Sequence, residues 1–135
     1  MKRLEDKLSG SYYTPLRTVR FMKEYLAREH KIYRRVLEPS VGDGRFVDAF
    51  EKEENIESFV AVELIEEKVR QLKNKRYSQQ IEIVADDFLN FSEKTNEKYQ
   101  LVIGNPPYIN IKNMEDDSKE KAKEICEKNV KYFVI

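Results

Sequence analysis

Leu16, Val19, Met22 and Leu26 recur at helical spacing, which predicts an amphipathic helix over about residues 15–29. Just ahead of it, Thr14 is a favoured N-cap residue and Pro15 fits the first helical position. Residues 33–38 come next and read as a short strand running into Pro39-Ser40-Val41-Gly42-Asp43-Gly44. Two glycines two apart mark a tight turn, and Phe46, Val47 and Phe50 then share one helical face. Residues 58–63 form a second strand whose apolar run is too continuous for a one-sided sheet. Ile65, Val69 and Leu72 open a helix behind it. Residues 81–85 are a third strand, stopping at Asp86-Asp87, and residues 101–103 a fourth, stopping at Gly104-Asn105-Pro106-Pro107-Tyr108.

Strands alternating with helices mean an α/β domain with a parallel sheet covered on both faces. In such sheets ligands sit beyond the carboxyl ends of the strands. All four strands end there in polar or glycine-rich residues, so the chemistry is expected to converge on one edge. The organisation expected is a helical segment over 1–30, an α/β core over 31–111, and a charged tail over 112–135. In that tail Ala122, Ile125 and Cys126 form only a thin apolar stripe, the mark of an exposed helix. Residues 130–135 are an uncapped apolar run that looks cut in mid-element.

Composition narrows the function classes. The chain has 135 residues, the size of one domain, with 25 Lys+Arg against 25 Asp+Glu. Zero net charge argues against a small, strongly basic nucleic-acid clamp. A single cysteine and a single histidine exclude an intramolecular disulfide and a Cys/His zinc site, so no metal is expected. No apolar stretch reaches the ~20 residues needed to cross a bilayer. With no signal core at the N-terminus, a soluble cytoplasmic protein is the expectation.

Two constellations carry chemistry. The Gly42-x-Gly44 turn brings backbone N–H groups and a helix N-terminus close to a ligand, and Glu63 stands where a second-strand carboxylate grips ribose hydroxyls. Position 47 is Val, not the third glycine of a dinucleotide fingerprint, and Glu38 would repel phosphates while suiting an ammonium group. That combination favours a nucleoside with a cationic amino acid tail; the competing reading is an ordinary βα turn with a surface glutamate. Asn105-Pro106-Pro107-Tyr108 is the more specific signal. Neither proline can donate to a sheet, and Pro106 holds Asn105 extended. The Asn105 side-chain oxygen and the Pro106 carbonyl can then accept both hydrogens of a planar –NH2, with Tyr108 stacking on its ring. The competing reading is a proline-rich turn with a packed tyrosine. Asp86 and Asp87 can reach an amine or cap a helix. His30 reads as a surface residue and Cys126 as a small apolar one.

Taken in order, Gly10-Ser11-Tyr12-Tyr13-Thr14-Pro15, residues 37–46, Val62-Glu63, Asp87-Phe88-Leu89 and Gly104-Asn105-Pro106-Pro107-Tyr108 resemble the N6-adenine DNA methyltransferases of restriction-modification systems. The resemblance is to the class whose cofactor motifs precede the catalytic Asn-Pro-Pro-Tyr. It implies a Rossmann-like S-adenosylmethionine-dependent methyltransferase fold, incomplete here, with about four parallel strands and flanking helices. It implies that Tyr13, Thr14 and Pro15, with Glu38, Pro39, Gly42 and Gly44, hold the methionine part of S-adenosylmethionine. Glu63 then takes the ribose, Asp87 (or Asp86) the cofactor adenine amine, and Phe88 lies beside that ring. Asn105, Pro106 and Tyr108 are the implied catalytic residues, and with Pro107 they bind the substrate base. The resemblance further implies DNA as partner in the complete enzyme and an N-terminal portion inactive alone. A missing C-terminal portion, a companion subunit or a second copy paired through the open sheet edge would complete it. Two other readings stay open: methyltransferases of protein glutamine or RNA guanine, and a non-catalytic cofactor-binding module.

Overall fold

The computed structural model describes residues 12–107 and 116–129. Helix α1 (Leu16–Arg28) leads into β1 (Val36–Glu38), α2 (Arg45–Phe50), β2 (Phe59–Glu63), α3 (Glu66–Asn74), β3 (Ile81–Ala85), α4 (Phe88–Lys94), β4 (Leu101–Val102) and α5 (Asp116–Asn129). The strands form one parallel sheet in the order β3-β2-β1-β4. Successive strands step from β1 out to β3, and the chain then returns to the other side of β1. The order therefore reverses between β1 and β4, where an open α/β sheet leaves a crevice for ligand.

Burial follows the pairing. β1 and β2 are buried along their whole length, down to the carboxylates Glu38 and Glu63 that end them. Val36, Phe59 and Ala61 pack with Val19 of α1 and Phe46, Val47 and Phe50 of α2. Leu37, Val60 and Val62 face a smaller cluster containing Val84, Phe91 and Tyr99. Strand alternation sends consecutive residues to opposite layers, so the sheet is covered on both faces. The outer strands are only partly covered, and Val102 on β4 is 59% exposed. Gly104 lets the chain leaving β4 pass against β1: a Cβ there would lie 3.3 Å from Cγ of Glu38.

Several local expectations are corrected. Thr14 is not the N-cap of α1. Pro15 is, at φ −57° and ψ 138°, with no side-chain cap hydrogen bond. Proline disfavours helical geometry in the residue before it, so Thr14 stands one step further out and its hydroxyl reaches no helix amide. Leu16, assigned to the apolar stripe, is 63% exposed, because α1 meets the core through Val19, Met22 and Leu26. The first strand begins at Val36; Tyr33 makes only an isolated bridge to Ile56. Helix α4 (seven residues) is not anticipated as a helix in the sequence; only its cap, Asp87, reads there as able to cap one. Tyr108 and residues 130–135 lie outside the described residues. Among those described, no helix is long and apolar enough to cross a membrane, and no cluster of His, Cys, Asp or Glu could hold a metal.

Candidate active site

The carboxyl ends of the strands open into a cavity of about 710 Å³. Its floor is the β1–α2 turn. Gly42 sits at φ +64° and Gly44, the N-cap of α2, at φ +86°, in the left-handed region that side chains rarely adopt. At Gly44 space is as decisive as conformation: a Cβ would fall 2.5 Å from Cδ2 of Leu72 and 2.9 Å from the Tyr77 hydroxyl. Glu63, at the end of β2, fastens this turn. One carboxylate oxygen accepts from the Gly42 amide at 2.8 Å and the other from the Ile65 amide at 2.9 Å. The side chain assigned to a ribose is thus also the brace of the glycine turn, and each oxygen keeps a second lone pair for a ligand.

Glu38 ends β1 beneath the same cavity and is 1% exposed. Its Oε2 is buried and has no hydrogen-bond partner. Burial pushes its carboxyl well above the usual range, and the negative Asp43, Glu63 and Asp48 push the same way. Among the described residues one other side-chain atom is buried without a partner, Oγ1 of Thr14, and it too belongs to a cavity-lining residue. Buried polar groups are ordinarily satisfied, so two such atoms in one cavity mark a place where a polar ligand completes the structure. Glu38 suits a cation and the Thr14 hydroxyl can donate to an anion.

The two flanks of the cavity come from the ends of the outer strands, β3 on one side and β4 on the other. Asp87 caps α4, its Oδ1 accepting from the Leu89 amide at 2.7 Å, while Asp86 meets Lys94 at 3.3 Å. Both aspartates line the cavity, as do Phe88 and Leu89. Phe88 is 36% exposed and stacks near Phe91 with ring centres 6.4 Å apart. On the β4 side the Asn105 side chain donates through Nδ2 to the Tyr12 carbonyl at 2.9 Å, and the main-chain carbonyl of Asn105 accepts from the Ser40 hydroxyl at 3.3 Å. Because Nδ2 is engaged as a donor, Oδ1 is defined as an acceptor. Pro106 and Pro107 are exposed and line the same cavity. The structure thus brings together the Tyr13-Thr14 segment, Glu38, Pro39, Gly42, Glu63, Asp87, Phe88, Asn105, Pro106 and Pro107. Gly44 stays beneath the turn, and Pro15 is the exposed cap of α1.

Residues 9–134 match the family model for the Eco57I restriction-modification methylase. The chain belongs to that family. The chain is 34% identical over 74 residues to the type II methyltransferase M.CvrRI of Paramecium bursaria Chlorella virus XZ-6E; the match covers 55% of this chain and 18% of that protein. The fold is shared more widely. A S-adenosylmethionine-dependent methyltransferase from Clostridium acetobutylicum superposes with a TM-score of 0.53 at 21% identity, over 73% of this chain and 39% of the other. The M. jannaschii tRNA m1G37 methyltransferase gives 0.53 at 17% identity, over 87% and 42%. The methyltransferase-like protein yhhF of Escherichia coli gives 0.60 at 18% identity, over 88% and 63%. At these identities the likeness is one of fold, and it accords with the four-stranded parallel sheet.

Arg45 is among the site residues that the sequence reading left without a role. Arg45, in the first turn of α2, donates through Nε to Asp43 at 2.6 Å and through Nη1 to the Thr14 carbonyl at 2.7 Å. Its guanidinium also lies 5.4 Å from the centre of the Tyr13 ring. In the sequence it is one basic residue among 25, and its partner Thr14 lies 31 positions away. Only the fold reveals the pairing.

Proposed function

We propose that this chain carries the S-adenosylmethionine site and the amine-accepting site of an adenine-N6 DNA methyltransferase. The supporting observation is a single cavity holding both the unpartnered buried carboxylate of Glu38 and the oriented acceptor of Asn105. A buried carboxylate without a partner is costly unless a cation arrives, and the ammonium of a methionine moiety is such a cation. The Thr14 hydroxyl, buried and without a partner, suits the carboxylate of that moiety. Glu63 retains lone pairs for ribose hydroxyls, and Asp87 retains Oδ2 for the adenine amine beside Phe88. When bound, the cofactor supplies an electrophilic sulfonium methyl.

The chain's own residues act on the nucleophile. The N6 lone pair of adenine is delocalised into its ring and attacks poorly. Asn105 Oδ1 and the Pro106 carbonyl accept the two amine hydrogens, which favours a pyramidal nitrogen with its lone pair localised. A base must leave the duplex to reach such a cavity, at a cost of a few kcal/mol. Lys and Arg are balanced by Asp and Glu, so this chain alone has little with which to neutralise phosphates. The 135 residues by themselves are therefore expected to bind cofactor but not to methylate DNA.

Calorimetric titration with S-adenosylhomocysteine tests the first part; no heat up to millimolar ligand counts against a formed site. A tritiated-methyl assay on DNA, structured RNA and a glutamine-bearing protein tests the second. It is run with the chain alone and within a longer protein containing it. Transfer to RNA or protein in preference to DNA would move the assignment to another class of planar –NH2 substrate.

A further inference from the structure

Arg45 is the one lysine or arginine that lines the cavity among the described residues. Its charge is committed on one side to Asp43 at 2.6 Å. On the other side it grips the segment ahead of α1, through the Thr14 carbonyl at 2.7 Å and across the Tyr13 ring. That ring rests on the glycine turn: a Cβ at Gly42 would lie 3.3 Å from Tyr13 Cε1. At the near end of the same segment the Tyr12 carbonyl is held by Asn105. Residues 12–14 belong to no helix or strand, and α1 begins without a side-chain cap. Side chains from the cavity wall therefore hold a segment that lies outside every helix and strand.

We propose that Arg45 is a positioning residue of the cofactor cavity. By bridging Asp43 and the Thr14 carbonyl it closes the 12–14 segment onto the glycine turn and fixes the buried Thr14 hydroxyl towards the ligand. This rests on the cofactor reading above. The planar guanidinium spans both acceptors at once, whereas a lysine ammonium is a point charge on a flexible stem.

The test is calorimetric titration with S-adenosylhomocysteine on the wild-type chain, R45A, R45K, T14V and the R45A/T14V pair, with thermal melts of each. Loss of a charge-assisted hydrogen bond predicts about tenfold weaker binding for R45A. R45K should fall between R45A and wild type, and it decides the matter should R45A fail to fold. If Arg45 acts through Thr14, the double variant binds within about twofold of the weaker single variant, because the two changes remove one shared interaction. Wild-type affinity in both Arg45 variants, or losses that multiply in the double variant, would overturn the proposal. A wild-type chain that fails to bind removes the cofactor reading itself, which is a distinguishable result.

Discussion

The two walls of the cavity are built differently. The β1–β2 wall rests on the two fully buried strands, and its key side chains are anchored from below. Glu63 is bonded to two backbone amides, and Gly44 is packed against Leu72. The β4 wall rests on a two-residue strand paired on one side with β1, and Pro106 and Pro107 lie exposed. A buried, braced wall suits a ligand that must be met in one geometry every time. An exposed wall suits a large substrate that brings its own surface. The difference teaches that cofactor binding should be a property of the core, and substrate handling a property of whatever meets the edge.

The contrast is broken most severely at Gly44. G44V forces a side chain into a left-handed turn and into space held by Leu72 and Tyr77. Backbone strain and overpacking each cost about 1–3 kcal/mol, so a destabilisation of about 2–5 kcal/mol is expected, with loss of cofactor binding. Urea unfolding at constant m-value checks it. A variant as stable as wild type would mean that the turn is not the rigid floor described.

Next comes N105A, on the other wall. Removing a preorganised group that acts on the reacting atoms typically costs about a hundredfold in rate, and that is the expectation for methyl transfer by a longer protein that contains this chain. Cofactor affinity should fall only a few-fold, since the cavity loses one neutral hydrogen bond, from Asn105 to the Tyr12 carbonyl. Steady-state kinetics alongside calorimetry separates the two numbers. Equal losses in both would place Asn105 on the cofactor.

E38Q is expected to move stability and binding in opposite directions. Burial raises the Glu38 carboxyl above its ordinary value in the folded chain, so the folded state holds its proton more tightly than the unfolded state. Stability is then lost as pH rises from the unfolded value through the folded one. Glutamine has no such titration. The ligand-free E38Q chain should melt above wild type at pH 8, with the gap closing towards pH 4. Its affinity for S-adenosylhomocysteine should fall about tenfold or more, through loss of the charged partner of the ammonium. Melting curves across that range, with and without ligand, provide both readings. A gap that widens on acidification would reverse the assignment of Glu38 as a strained, ligand-awaiting carboxylate.

The same contrast explains what could be read from the sequence. β2 was legible because its four apolar residues, Phe59 to Val62, run unbroken, and β3 because its ends are set by polar punctuation. The glycine turn was legible because backbone geometry there admits few residues. Asn105-Pro106-Pro107 was legible because proline ends a strand by its chemistry. What stayed hidden depends on distance in three dimensions. Glu63 bracing Gly42, Arg45 holding Thr14, and Asn105 meeting Tyr12 join residues 21, 31 and 93 positions apart. The same holds for Thr14, whose type suits an N-cap but whose place before a proline sends its hydroxyl elsewhere. Helix α4 stayed hidden, though its cap, Asp87, was visible.

The smallest effect on folding is expected at the open edge. Val102 is 59% exposed beside Phe21 and Tyr25, which are 66% and 57% exposed, and the three line a shallow groove with Leu101 and Ile103. An exposed apolar strand edge is a template for pairing, and a charged side chain is the common deterrent. V102K removes little buried surface, so stability should change by no more than about 0.5 kcal/mol and cofactor affinity should be unchanged. What should change is association. If copies of this chain pair through β4, the wild-type chain sediments above monomer mass at high concentration and V102K sediments as a monomer. A wild-type chain that stays monomeric at the same concentration would show that this edge does not pair with itself. The apolar groove would then await a partner of another kind, and the comparison between the two walls would stand on the β1–β2 side alone.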